Sequence, residues 1–319
     1  MQRHSWSFLA KSILSYLVLG AFAVWCVHGL SKDAAQIRLD ALNGGWWAVL
    51  VSALLSLCNY AFRVGRWHAY LRHLGYEVPF RLSALGYMAG FAFTLSPGKV
   101  GEMIRARYYK IHGVSMGDVS VAFFAERLMD LIVIVVLAGG LLAGMPDYRW
   151  LACLGVGASV GVLLVLHLMP WAALQAWILR SGGSTPSAIH RVLHKAAVLL
   201  TSSRQLLSQR MLFMGFVTGL LAWGCEAVGF KVVGDVIAPD LSLEWTTGVG
   251  IYATATLVGA LSFLPGGLGS TEAVMTGLLV SHHYAMPQAL LLTLVCRVLT
   301  LWLAVLIGWM CVWVLRNEN

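Results

Sequence analysis

Residues 96–102 read SPGKVGE, and residues 263–272 read FLPGGLGSTE. Each stretch lies at the end of an apolar run, Leu82–Gly98 and Trp245–Thr271 respectively, and places a proline before several glycines. Proline suits the first turn of a helix, whereas glycine interrupts a helix and lets another group approach the backbone. Each run therefore predicts two half-helices around a break, as in a re-entrant hairpin. Inside a membrane, such breaks are tolerated only where they are buried in protein or line a cavity.

The composition indicates that the bilayer surrounds both stretches. Hydrophobic residues make up 59% of the 319 residues and charged residues only 11%, against about 25% charged residues in soluble domains. A span needs about 20 apolar residues, and the third run is predicted to start near Val119 and the fifth to extend to Val233. The sequence thus predicts an all-α polytopic membrane protein with two re-entrant hairpins and about six spanning helices, at Ser12–Leu30, Ala41–Phe62, Leu131–Met145, Trp150–Leu179, Met211–Cys225 and Val298–Val314.

The basic residues, which give a net charge of +8, predict the orientation. With a cytoplasmic N-terminus, the outer face carries only Lys32, Arg38, Arg149 and Lys231. Positive charge accumulates in cytoplasmic loops, so both termini are predicted to be cytoplasmic in a bacterial inner membrane. The predicted inner-face cations are Arg3, Lys11, Arg63, Arg66, Arg72, Arg81, Lys99, Arg105, Arg107, Lys110, Arg180, Arg191, Lys195, Arg204, Arg210 and Arg316.

Matching motifs recur at a nearly constant distance along the chain. Cys58 and Cys225, Pro97 and Pro265, and Arg127 and Arg297 are separated by 167, 168 and 170 residues. They predict, within one membrane domain over residues 1–319, a first repeat at about 41–145 and a second at about 211–315. An interfacial amphipathic helix at about 188–210 links them in the cytoplasm. Because the matching spans are predicted to run in opposite directions, the repeat is inverted, as in many secondary transporters.

The two hairpin ends are candidate binding sites for a phosphate. Glycines expose the backbone, and a half-helix that starts there points its N–H groups and its positive dipole end at a ligand. A break that only packs against its neighbour is the alternative interpretation. The candidate residues are Pro97, Gly98, Lys99, Gly101, Glu102 and Arg105 at the first end, and Pro265, Gly266, Gly267, Gly269, Ser270 and Glu272 at the second.

Charged residues inside the predicted spans form a second group of candidates. Arg127 and Arg297 occupy matching positions in the two repeats, and Glu126, Asp130 and Glu226 are carboxylates that could balance them. Charges in spans are expensive and usually face a bundle interior or a wet cavity. The arginine fork binds phosphate in a bidentate manner. A structural network of salt bridges is the other interpretation of the same residues.

The run from Gly86 through SPGKVGE to ERLMD at 126–130 resembles the transmembrane region of bacterial lysylphosphatidylglycerol synthases, as does FLPGGLGSTE. The resemblance extends from about the second predicted span to the last. In the two-domain members of that family, the membrane region flips the aminoacylated phospholipid and a separate soluble domain transfers the aminoacyl group. We expect a stand-alone member without that soluble domain, so the resemblance implies transport rather than synthesis.

The favoured hypothesis is a flippase that moves an anionic phospholipid or a lipid-linked glycan precursor between the leaflets of the inner membrane. One alternative is an enzyme that modifies a lipid head group with Glu102 or Glu126 as a general base. Another is a scaffold for envelope glycolipid synthesis. No hydrolase motif is present, and neither enzymatic activity, a metal site nor a cofactor is predicted. The expected partners are phosphate-bearing lipids and, as proteins, a second copy or an envelope glycosyltransferase; nucleic acid is not expected.

Overall fold

A computed structural model describes residues 44–168, 170, 173, 176, 205–241 and 243–317. The first predicted span, Ser12–Leu30, and residues 188–204 of the predicted amphipathic helix lie outside this part. The α-helices are α1 Trp46–His73, α2 Phe80–Phe91, α3 Arg105–Tyr109, α4 Met116–Gly144, α5 Arg149–Leu168, α6 Gln209–Ile237, α7 Trp245–Leu261, α8 Ser270–Ser281, α9 Met286–Arg297 and α10 Leu303–Asn317. A π turn at Val298–Trp302 joins α9 and α10 into one helix.

The described part confirms an all-α membrane protein. Among the described residues, four helices are long and apolar enough to cross a membrane: α1, Pro146–Leu166, α6 and the joined helix Met286–Asn317. The 29-residue helix α4, which corresponds to the third predicted crossing, is not one of the four. The number of six spans therefore stays a prediction.

Helix α1 corrects one part of the sequence interpretation. The second span was predicted to end at Phe62, but α1 continues to His73 and buries Arg63 and Arg66, which had been counted as loop cations. Arg105 and Lys231, counted on the inner and outer face, are buried too. These cations have carboxylate partners inside the protein, so their positions do not indicate which side of the membrane a loop faces. The cytoplasmic termini stay a prediction, which reporter fusions at the C-terminus can test.

Each predicted hairpin breaks at its proline. A 3-10 turn at Pro97–Ile104, called tip one, follows α2, and a 3-10 turn at Pro265–Gly267, called tip two, follows α7. The φ and ψ angles are 62° and 14° at Gly98 and 61° and 14° at Gly266, so the two tips share an unusual backbone conformation. The regular half-helix expected after tip one is absent, since the 3-10 turn leads into the five-residue α3.

The helices pack in matching pairs. Helix α1 packs along α6, tip one against tip two, α2 against α10 and α4 against α7. If the halves are exchanged, so that α1 becomes α6, α2 becomes α7 and α4 becomes the joined helix α9–α10, the first two contacts map onto themselves and the last two map onto each other. A two-fold relation between the halves gives this contact pattern. The repeat boundaries and the opposite orientation stay predictions.

Candidate functional site

The two tips lie next to each other at the centre of the candidate site. Gly266 of tip two, at φ 61°, lies beside Leu95 and Leu301; a Cβ atom at Gly266 would be 2.8 Å from Leu95 Cδ2. Pro97 and Pro265, predicted to open the two breaks, each begin a tip. The chain therefore brings together two segments that are more than 160 residues apart. Their approach from opposite membrane faces stays a prediction.

A glutamate lies within tip one, Glu102, and another lies five residues after tip two, Glu272; each pairs with an arginine 25 residues later. Arg127 Nη2 donates to Glu102 Oε2 at 2.7 Å. Arg297 Nε donates to Glu272 Oε1 at 2.6 Å, and its Nη2 donates to the Gly266 carbonyl oxygen at 2.7 Å. The two arginines therefore use the glutamates at the tips as their partners.

Of the other three predicted carboxylates, only Asp130 pairs with one of the two arginines, and its contact is longer than that of Glu102. Asp130 approaches Arg127 only at 3.8 Å, and neither Glu126 nor Glu226 forms an ion pair with Arg127 or Arg297 in the described residues. Spacing along a helix suggested these partners, but the fold places a tip glutamate closer to each arginine.

Three buried arginines hold Glu126 and Asp130 instead. Arg105 Nη1 lies 3.0 Å from Glu126 Oε2, and its Nη2 lies 2.6 Å from Glu102 Oε2. Arg63 and Arg66 contact Asp130 at 3.0 and 2.6 Å. The sequence interpretation missed Arg63 and Arg66 as members of this cluster. Their three-residue spacing, which places both on one helix face, was the available signal.

Aromatic and small residues shape this cluster around Arg105. The guanidinium carbon lies 4.0 Å from the ring centre of Tyr87 and 4.9 Å from that of Trp67. Tyr87 also donates a hydrogen bond to Glu126. Gly90 leaves room for the arginine, since a Cβ atom there would lie 2.5 Å from Arg105 Nε. Removing one partner of such a buried pair costs about 3–5 kcal/mol, so Arg105 stabilises the fold.

The charged cluster around tip one has more cations than carboxylates. Arg63, Arg66, Lys99, Arg105 and Arg127 surround three acids, Glu102, Glu126 and Asp130. The Lys99 side chain makes no hydrogen bond or ion pair in the described residues, although its backbone N–H donates to the Ser96 carbonyl oxygen at 2.9 Å. Within the part of the chain that the structure describes, the Nε atoms of Arg63, Arg66, Arg105 and Arg127 are all buried without a hydrogen-bond partner, but only the Arg127 side chain, at 23%, is more than 6% exposed. Arg127 and Lys99 are therefore the most accessible donors for an anion.

Lys99 has a strained backbone. Its φ of 57° lies in the left-handed region, which few residues other than glycine adopt. The corresponding residue of tip two is Gly267, with φ 67°. Strain of this kind persists where the surrounding structure enforces it and is common at functional sites.

The backbone N–H groups predicted to bind phosphate are partly occupied. The Gly101 N–H donates to Ser96 Oγ at 2.6 Å, and the Gly269 N–H donates to Glu272 Oε2 at 2.7 Å. Ser270 Oγ donates to the Gly267 carbonyl oxygen at 3.1 Å. The start of α8 is thus capped by its own glutamate. This corrects the prediction of open helix ends and leaves the side chains as the main donors.

Glu226 lies apart from the ion pairs. It is 6% exposed on α6, and Tyr252 of α7 donates a hydrogen bond to its Oε2. Each of the other buried carboxylates, Glu102, Glu126 and Asp130, contacts at least one arginine, whereas no ion pair of Glu226 is present in the described part of the chain.

A cavity of about 850 Å³ opens beside tip one. Its lining combines the exposed cations Arg107 and Lys110 with apolar side chains, among them Met103, Ile104 and Met116. Cations beside apolar side chains match the chemistry of an anionic amphiphile.

The sequence matches the family described as "Lysylphosphatidylglycerol synthase TM region" over residues 12–308. Two similar proteins are both called UPF0104 membrane protein and come from Methanothermobacter thermautotrophicus. The first is 26% identical over 320 residues, which covers 92% of this chain and 90% of the relative. The second is 23% identical over 262 residues, which covers 74% of this chain and 75% of the relative.

Proposed function

We propose that this chain, which belongs to the family of the lysylphosphatidylglycerol synthase TM region, moves an anionic, phosphate-bearing lipid between the two leaflets of the inner membrane. The observation that carries the proposal is the contact of two tips with the same backbone conformation, each close to a glutamate–arginine pair. Each half of the chain thereby contributes one arginine near the contact between the two tips. An excess of cations at tip one favours an anionic ligand there.

The pairing at tip one suits a ligand that must bind and leave. A phosphate that takes Arg127 from Glu102 leaves this carboxylate with Arg105 at 2.6 Å and with the Thr94 hydroxyl at 3.0 Å. Glu102 therefore stays compensated when Arg127 turns to the lipid. The exchange replaces one anion by another at the same arginine, and neither state leaves a bare charge.

The cavity beside tip one gives the lipid head group a way in. Arg107 and Lys110 can attract a phosphate at the surface, and Met103 and Met116 can contact the upper part of the acyl chains. Met103 belongs to tip one, so the cavity borders the segment that carries Glu102. We propose that the head group binds first in this cavity and passes from there to the neighbouring pair of Glu102 and Arg127.

The same geometry gives no support to a catalytic base. Glu102 accepts hydrogen bonds from Arg105, Arg127 and Thr94. Glu126 is held by arginines and Tyr87 in the same way. A carboxylate stabilised by several cations is a weak base. We therefore favour transport over head-group chemistry.

Reconstitution tests the proposal. Purified protein is placed in vesicles with fluorescent phosphatidylglycerol in both leaflets, and a membrane-impermeant quencher reports how fast inner-leaflet lipid reaches the outside. We expect faster transfer than in protein-free vesicles and its loss in Arg127→Gln and Arg297→Gln. Arg316→Gln is the matched control, because Arg316 is exposed on the same helix as Arg297. Wild-type protein that is folded and transfers no anionic lipid would refute the proposal.

A further inference from the structure

Glu226 is a buried acid that the proposed transport mechanism does not use. Its side chain is enclosed between α6 and α7, with a hydrogen bond from Tyr252 to Oε2 and no ion pair in the described residues. Moving a carboxylate out of water without a paired cation is unfavourable, and such a group binds a proton more readily than an exposed carboxylate does. Ionisable residues inside membrane proteins commonly serve as proton relays.

The charged surroundings of Glu226 connect it to the lipid site. Besides its burial and the Tyr252 hydrogen bond, three cations act on it electrostatically without forming an ion pair: Arg63 of α1, Lys99 of tip one and Arg297 of α9. Two of these cations lie at the tips where the lipid phosphate is proposed to bind. The titratable groups that face Glu226 from the packed elements are Tyr60 and Arg63 of α1, Lys99 of tip one, Tyr252 of α7, Cys296 and Arg297 of α9, and its neighbour Cys225.

A lipid phosphate changes the balance at Glu226. In the empty site, Lys99 and Arg297 favour the ionised carboxylate, because opposite charges attract through a medium of low polarity. A bound phosphate neutralises these cations and adds a negative charge of its own. Both changes favour the protonated acid.

We propose that Glu226 takes up a proton from water when an anionic lipid binds and releases it to water when the lipid leaves, so that lipid and proton occupy the protein together. This inference rests on the proposed lipid site and adds the coupled ion. In the binding step, one O–H bond forms at the Glu226 carboxylate, and Oε1 is available because Tyr252 occupies Oε2. The bound pair of lipid anion and proton carries no net charge across the membrane.

Calorimetric titration with short-chain phosphatidylglycerol tests the inference. The phosphodiester keeps one negative charge over the pH range used, so any pH dependence belongs to the protein. The affinity of the wild-type protein should fall as the pH rises, by up to tenfold per pH unit for one linked proton. Titrations in buffers of different ionisation enthalpy should show uptake of up to one proton per lipid bound.

Two variants assign the proton. Glu226→Gln should bind lipid with little dependence on pH and without proton uptake. Glu244→Gln should behave like wild type, since Glu244 is an exposed carboxylate that makes no side-chain cap hydrogen bond at the start of α7. A pH dependence that persists in Glu226→Gln would assign the proton to Lys99 or another group and overturn the inference.

Tyr252→Phe keeps the carboxyl and removes its hydrogen-bond donor. It should move the midpoint of the pH profile without abolishing it, which keeps the inference testable where Glu226→Gln does not fold. An unmoved midpoint would count against the inference. If the wild-type protein binds lipid with the same affinity at every pH, the proton coupling alone is overturned. If folded protein binds no lipid, the proposed function is overturned as well.

Discussion

Arg127 and Arg105 offer a direct comparison of functional and structural roles, because both donate to Glu102 Oε2. The Arg127 side chain is 23% exposed and makes one close ion pair. The Arg105 side chain is 0% exposed, pairs with two glutamates and stacks on Tyr87 and Trp67. The same substitution by glutamine at these two positions should therefore have different consequences.

Arg127→Gln removes one of three donors to Glu102, since Arg105 and Thr94 remain. The expected loss of stability is about 1.5–3 kcal/mol, the value of a hydrogen bond to a charged group. Arg105→Gln removes the closest ion pair of Glu126 and one of the two ion pairs of Glu102 in the described residues, both fully buried, and should cost about 3–5 kcal/mol. Thermal unfolding in detergent compares the two, because these energies are large fractions of typical stability.

Lipid transfer in vesicles provides the second measurement. Arg127→Gln should fold and lose most of its transfer, whereas Arg105→Gln should lose folded protein. Arg127→Lys should also transfer poorly, because an ammonium lacks the planar fork that holds two phosphate oxygens. If Arg127→Gln folds and transfers lipid at the wild-type rate, the reasoning is refuted and Arg127 belongs to a structural network.

Three further predictions concern the tips. Lys99→Gly should remove transfer while stability holds or rises by about 1 kcal/mol, because the left-handed conformation costs other residues roughly 1–2 kcal/mol; unfolding scans that show a clear loss of stability would contradict this. Gly90→Ala should destabilise the protein by about 1–3 kcal/mol, since the methyl group lies too close to a buried arginine, whereas the Gly65→Ala control has open space and should unfold like wild type. In a background without native cysteines, a short bis-maleimide should join cysteines placed at Leu95, just before tip one, and at Gly266 of tip two. Failure to crosslink would contradict the contact between the two tips.

The sequence predicted the helical class, the family and the position of both breaks, because long apolar runs and Pro-Gly clusters are local signals. It did not identify Glu102 and Glu272 as the closest partners of Arg127 and Arg297, because a tip and the following long helix meet only through the tertiary fold. One signal was available: Glu102 and Glu272 are separated by the same 170 residues as the two arginines.

Rules based on uncharged runs also fail where charges are buried. The second predicted span stopped at Phe62 because the next residue is Arg63, yet the helix continues for eleven more residues. Its cations are stabilised by Glu126 and Asp130 of α4, a compensation that no local pattern reveals. For the same reason Arg297, expected to head the last span, lies inside the joined helix Met286–Asn317.

The π turn at Val298–Trp302 sets the rotational phase of the helix that contains it. One residue turns an α-helix by about 100°, so an inserted residue rotates everything beyond it by that angle. Before the turn, Arg297 points to tip two; after it, Gly308 meets the backbone of α2 so closely that a Cβ atom would lie 2.3 Å from Ala92 N. The Thr300 carbonyl within the turn accepts a hydrogen bond from Tyr60 at 2.9 Å. Deleting one residue here would rotate Gly308 away from α2 if Arg297 kept its contact with tip two. The length of the turn is therefore fixed by the two contacts, one on each side of it, that the helix must make at once.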